Sequence, residues 1–246
     1  MNFSGQELVL GMTGMLVFVS TIAATLSLVW LRSMGRASRV GQLADAASSG
    51  VFLGIGFLHM LPEAVLQFGA AGGDSRLIFL VAGLSLLFLL ALDRLGGAGG
   101  TRVQVLMVTG VLVIHMFLTG FALGAEETHA AILVLFVALI IHKVAEAFAF
   151  GRLLARGPGP GWLSGLLIVL FVGALPLGVL AAMTAVDIGA LGQTTVPLIL
   201  AVASGTFLHF GLNHTHLLGS NVGWQCLGAR MGGFALMAGF AFFVGH

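Results

Sequence analysis

Eight runs of mostly apolar residues, each about 18–25 long and closed by charge, Gly or Pro, constrain this chain more than any other feature. They lie near residues 8–31, 48–68, 76–95, 104–124, 129–151, 162–185, 194–217 and 228–245. The hydrocarbon core of a bilayer is about 30 Å thick, which a helix crosses in about 20 residues. Inside it, only helices or closed barrels satisfy every backbone polar group. Charged residues make up 8% of the chain and hydrophobic ones 59%, whereas a soluble domain is about one quarter charged. The expectation is therefore an all-α polytopic membrane protein: eight transmembrane helices in one transmembrane domain spanning residues 1–246. The first run carries Glu7, lacks a basic leader and continues to Arg32, so it reads as a retained helix and not a signal peptide.

Basic residues orient the spans. With the N-terminus outside, Arg32, Arg36, Arg39, Arg94, Arg102, Arg152, Arg156 and Arg230 all fall in cytoplasmic loops or helix ends. Arg76 alone falls outside, and Lys143 lies within a span. The opposite orientation reverses this bias, so both termini are expected to be extracytoplasmic. Glu7, Asp74, Glu126, Glu127 and Asp187 then face outside. Trp30, Trp162 and Trp224 fall near predicted cytoplasmic boundaries, as interfacial anchors do. The single cysteine, Cys226, excludes an internal disulfide and a Cys-based metal site, and is expected in the last cytoplasmic loop. No basic tract points to nucleic acid and no motif cradles phosphate.

Ionisable residues inside spans are costly and tend to mark function. "FLHMLPEA" (57–64) puts His59 and Glu63 on one face near the outer end of span two. Span four holds His115 near mid-depth, with Thr119 one turn further out. In span five, "IHKVAEAFAF" (141–150) sets His142 and Glu146 at i, i+4, with Lys143 between them. Span seven carries His209, Asn213, His214 and His216 toward its cytoplasmic end. A His and a carboxylate four residues apart converge on one point. Imidazole with carboxylate suits Zn²⁺ and its first-row neighbours, whereas Mg²⁺ prefers oxygen ligands alone. His115 facing His142 and Glu146 would make a cross-helix site near the midplane.

Each feature also has a structural alternative. Lys143 and Glu146, at i, i+3, can simply neutralise one another. Lys143 lies seven or so residues, about 10 Å, from the cytoplasmic end and can reach the interface by snorkelling. A lone His can hydrogen-bond across helices, residues near a helix end can meet water, and Pro62 and Pro176 read as kinks. The chain has 37 Gly, and pairs such as Gly50/Gly54 and Gly120/Gly124 permit close helix contact.

Taken together, "GVFLGIGFLHMLPEA" (50–64), "HMFLTGFALG" (115–124), "HKVAEAFAFG" (142–151) and "GTFLHFGLNHTHLL" (205–218) closely resemble spans two, four, five and seven of the ZIP family of divalent metal transporters. That family also has eight spans with both termini outside. The resemblance implies import of Zn²⁺, or of Cd²⁺, Fe²⁺ or Mn²⁺, toward the cytoplasm, in an integral protein of a bacterial inner (plasma) membrane. It implies a metal site between spans four and five, matched here by His115, His142 and Glu146, with Met60 alongside. It further implies an elevator-like slide of spans two, four, five and seven against the rest. Metal would enter past His59 and Glu63 and leave past His209, Asn213, His214 and His216.

The chain departs from the family pattern at two places. Where a carboxylate usually follows the span four His by one turn, Thr119 stands. Where a second metal would find Asn or Asp, the chain has Met116 and Lys143, so an ammonium replaces the second cation and one metal is expected. Two other functions stay open at this stage: an intramembrane metal-dependent hydrolase, and a metal-binding relative that does not transport. The divalent ion and membrane lipid are the expected partners; a homodimer is compatible with the sequence, which does not decide it.

Overall fold

The computed structural model describes residues 5–34, 39–98, 101–125, 129–156, 161–187, 192–213 and 223–244. Among them there is no strand. The helices are α1 (Gly5–Met34), α2 (Arg39–Ile55), α3 (Leu61–Ala70), α4 (Arg76–Ala98), α5 (Thr101–Gly124), α6 (His129–Arg156), α7 (Gly161–Asp187), α8 (Thr195–Asn213) and α9 (Trp224–Val244). Between α2 and α3 the backbone makes a π turn, Gly56–Met60, without breaking the rod, so α2 and α3 together form span two. Six rods among the described residues are long and apolar enough to cross a bilayer: Glu7–Trp30, Arg39–Ala70, Arg76–Leu95, Val105–Gly124, Gly161–Asp187 and Thr195–Leu212. Helices α6 and α9, with 28 and 21 residues, have the length to do so as well. The chain is thus an α-helical polytopic membrane protein.

Two boundaries differ from expectation. Span two starts at Arg39, nine residues before position 48, because the stretch "RVGQLADAASSG" continues the helix despite its polar composition. Cys226 lies in the first turn of α9 and not in a loop. Trp162 and Trp224 are exposed at the starts of α7 and α9, and Trp30 is exposed near the end of α1. Pro176 sits inside an uninterrupted α7.

Close packing sorts the helices into two groups. One contains α1, α5, α6 and α7; the other contains α2, α3, α4, α8 and α9. Glycine permits the tightest seams. A Cβ on Gly120 would collide with the Leu175 carbonyl oxygen, and one on Gly178 with the Phe117 carbonyl oxygen, so α5 and α7 meet backbone to backbone. Gly50 and Gly233 play the same reciprocal part for α2 and α9, against Arg230 and Ala47. Spans two and seven pack most closely with eight and three, and they also meet the first group, α2 against α6 and α8 against α5.

The π turn has a local cause. Pro62 has no N–H, so the Leu58 carbonyl cannot find its usual helical partner there. Instead the Leu61 N–H reaches back five residues to the Gly56 carbonyl, which also accepts from the Ser204 hydroxyl of α8 at 3.1 Å. The extra residue changes which side chain enters the core. Four residues beyond the buried Ile55 stands His59, yet Met60 is buried and His59 is only half-buried.

Candidate metal site

Helices α5, α6 and α8 bring five polar side chains together in a dry interior. His115, Thr119, Lys143, Glu146 and Thr206 are each no more than 4% exposed. Water does not satisfy groups at such a place, so their partners are decisive.

Lys143 donates to Glu146 Oε2 at 2.5 Å and to the Met116 sulfur at 3.0 Å. The ammonium points inward and is fully buried, which rules out the snorkelling alternative. Met116 and Lys143, the two residues expected in place of second-site ligands, therefore touch. The other carboxylate oxygen, Glu146 Oε1, has no hydrogen-bond partner among the described residues. It lies 3.8 Å from His115 Nε2. The opposite ring nitrogen, Nδ1, is 2.8 Å from the Thr206 hydroxyl of α8. Phe207 packs edge-on against the same ring, with centroids 4.3 Å apart. Thr119 lies one turn above His115; its hydroxyl donates to the His115 carbonyl at 2.9 Å and stands 3.2 Å from Nε2.

Among the described residues two donors suited to a divalent transition metal face each other, and no group of three His, Cys, Asp or Glu side chains does. Metal–nitrogen and metal–oxygen bonds of about 2.0–2.2 Å at a tetrahedral angle place the two donors about 3.4 Å apart. Nε2 and Oε1, at 3.8 Å, need to approach by a few tenths of an ångström. Because Lys143 holds Oε2, Glu146 offers one oxygen only.

The remaining expected residues fall as follows. Met60 is buried in the same apolar cluster as Met116 and Phe207. His142 lies on α6 four residues before Glu146, but its side chain is outside the described part of the structure, as is that of Asn213 on α8. His214 and His216 lie outside the described residues. No hydrogen bond or ion pair joins His59 to Glu63. The His59 ring packs edge-on against Phe240, and exposed Glu63 accepts from Gln67 at 2.8 Å. His209 is buried on α8 and meets the Asp93 carboxylate of α4 at 2.8 Å.

Sequence reasoning missed three residues. Thr206 is one hydroxyl in the small, buried "SGTF" stretch, and nothing in its spacing ties it to a His 91 positions away. Asp93 stands two residues before the end of the third apolar run, and its partner lies inside another span. Asp45 fell outside span two as drawn and is fully buried in α2. For these last two, an acid within two turns of an apolar run was the available signal.

No curated protein sequence matches the chain. The family model described as ZIP zinc transporter matches residues 96–242, more than half of the chain. The matched stretch contains all of α5 to α8 and α9 up to residue 242, and therefore His115, Thr119, Lys143, Glu146, Thr206 and His209. Members of that family are transporters, not enzymes, and carry divalent metals across membranes. A helical membrane protein with buried His and Glu donors within that match agrees with it, and the chain belongs to the ZIP zinc transporter family.

Proposed function

We propose that this protein takes up one divalent transition metal at a time, Zn²⁺ foremost, toward the cytoplasm through a site formed by His115, His142 and Glu146. The observation that supports it best is Glu146 Oε1, without a hydrogen-bond partner among the described residues and facing His115 Nε2 across 3.8 Å, both side chains buried. A buried carboxylate oxygen left without a hydrogen bond is costly unless something else occupies its lone pairs. A cation shared with an imidazole does so.

In this reading both termini are extracytoplasmic, residues 1–246 form one transport domain, and the membrane is a bacterial inner membrane. The entrance is lined by His59 and Glu63, and the exit by His209, Asn213, His214 and His216, with Asp93 added because it holds His209. Met60 and Thr119 flank the metal, Thr119 as a neutral oxygen. Lys143 supplies the charge that a second metal would bring, so one ion is bound per chain. Transfer proceeds by an elevator-like displacement of part of the bundle, driven by the metal gradient without ATP. Glu146→Ala tests the reading. The variant, folded by size-exclusion chromatography, is expected to lose Zn²⁺ uptake into proteoliposomes; wild-type uptake from it overturns the site assignment.

A further inference from the structure

We propose that Thr206 is a positioning residue that fixes the tautomer of His115, and with it the nitrogen available to the metal. This rests on the reading of His115 as a ligand.

The argument is a count of protons. A neutral imidazole has one N–H and one lone pair. A hydroxyl has one proton to donate. The Thr206 hydroxyl donates to the Ala203 carbonyl of its own helix at 2.6 Å, shorter than its 2.8 Å contact with His115 Nδ1. With its proton committed there, the Thr206 oxygen acts as an acceptor, and Nδ1 must carry the imidazole proton. The lone pair is then on Nε2, the nitrogen that faces Glu146 Oε1. Thr119 is compatible with this arrangement, because its hydroxyl donates and needs nothing from Nε2. Phe207, next to Thr206 on α8, closes the edge of the ring so that it cannot rotate freely. A metal-ligating His commonly donates its second ring N–H to an oxygen that sets its orientation, and such partners affect metal affinity strongly. In this chain that oxygen is a hydroxyl from α8, whereas the ligand itself is on α5.

The experiment compares Thr206→Val, which keeps the shape and removes the hydroxyl, with Thr206→Ser, which keeps the hydroxyl. In metal-free protein labelled with ¹⁵N-histidine in nanodiscs, the His115 signals, assigned by their loss in His115→Gln, report which nitrogen is protonated. Wild type and Thr206→Ser are expected to show protonated Nδ1 and bare Nε2, and Thr206→Val a mixture of the two tautomers. Zn²⁺ binding, titrated separately, is expected to weaken about 10–100-fold in Thr206→Val and to stay within about twofold in Thr206→Ser. An unchanged tautomer in Thr206→Val overturns the proposal, as does a changed tautomer with unchanged affinity. Wild-type Zn²⁺ affinity in His115→Gln instead overturns the metal site itself, an outcome the tautomer signals alone cannot produce.

Discussion

Lys143 and Glu146 stand one turn apart on α6 and hold each other at 2.5 Å, both out of reach of solvent. In most proteins such a pair is only a way of carrying two charges through an apolar region. Here its geometry leaves one carboxylate oxygen engaged and the other directed to a histidine on a neighbouring helix. The lysine thereby limits the glutamate to a single open oxygen. It also keeps the site near electrical neutrality before any metal arrives, so binding adds close to two uncompensated charges.

Replacing Lys143 by Met removes one partner and leaves the other charge buried. Loss of one member of a buried ion pair costs about 3–5 kcal/mol. Metal-free Lys143→Met is expected to melt well below wild type in detergent, and added Zn²⁺ is expected to raise its melting temperature more than it raises that of wild type. Equal Zn²⁺ stabilisation of the two proteins would contradict the view that lysine and metal share the carboxylate.

Thr119 puts a neutral hydroxyl 3.2 Å from His115 Nε2. Thr119→Glu brings a second negative donor to that position. Zn²⁺ binding is expected to tighten roughly tenfold or more, about 1.4 kcal/mol, with a gain in proteoliposome uptake at low metal concentration. A folded variant with unaltered affinity would place residue 119 outside the metal's reach.

The glycine seam between α5 and α7 gives a test of packing independent of metal. Gly120→Ala forces a methyl group into the Leu175 carbonyl, whereas Gly110 on the same helix has nothing within 4 Å of where a Cβ would stand. Overpacking costs about 1–3 kcal/mol, so thermal melts should show a clear loss for Gly120→Ala and none for Gly110→Ala.

Most of the fold was legible because length and hydropathy decide a membrane helix almost alone, and the observed rods lie close to the predicted spans. His115, Lys143 and Glu146 were legible for the same reason, since a polar residue inside such a run stands out. Thr206 was not, because a hydroxyl costs little in a helix that can satisfy it from its own carbonyls, so its presence carries no warning. Nor were the neighbours of His59 and Glu63, which make their contacts with Phe240 and Gln67. The helix is not regular at His59, so which side chain of that stretch enters the core is not given by spacing alone. The tight pairing of α5 with α7 and of α2 with α9 depends on which glycine faces which carbonyl, a match that requires three dimensions.

The π turn has one further consequence. It acts as a phase defect: α3 runs one residue, about 100° of rotation, behind the frame set by α2. Met60 owes its buried seat to that defect, and His59 owes to it its place beside Phe240. Removing Phe57 would let a regular helix place Met60 four residues beyond Ile55 and keep the thioether in the interior, whereas a regular helix of unaltered length would put the His59 imidazole there instead. Backbone phase, as much as the choice of amino acid, decides which donor span two presents to the core.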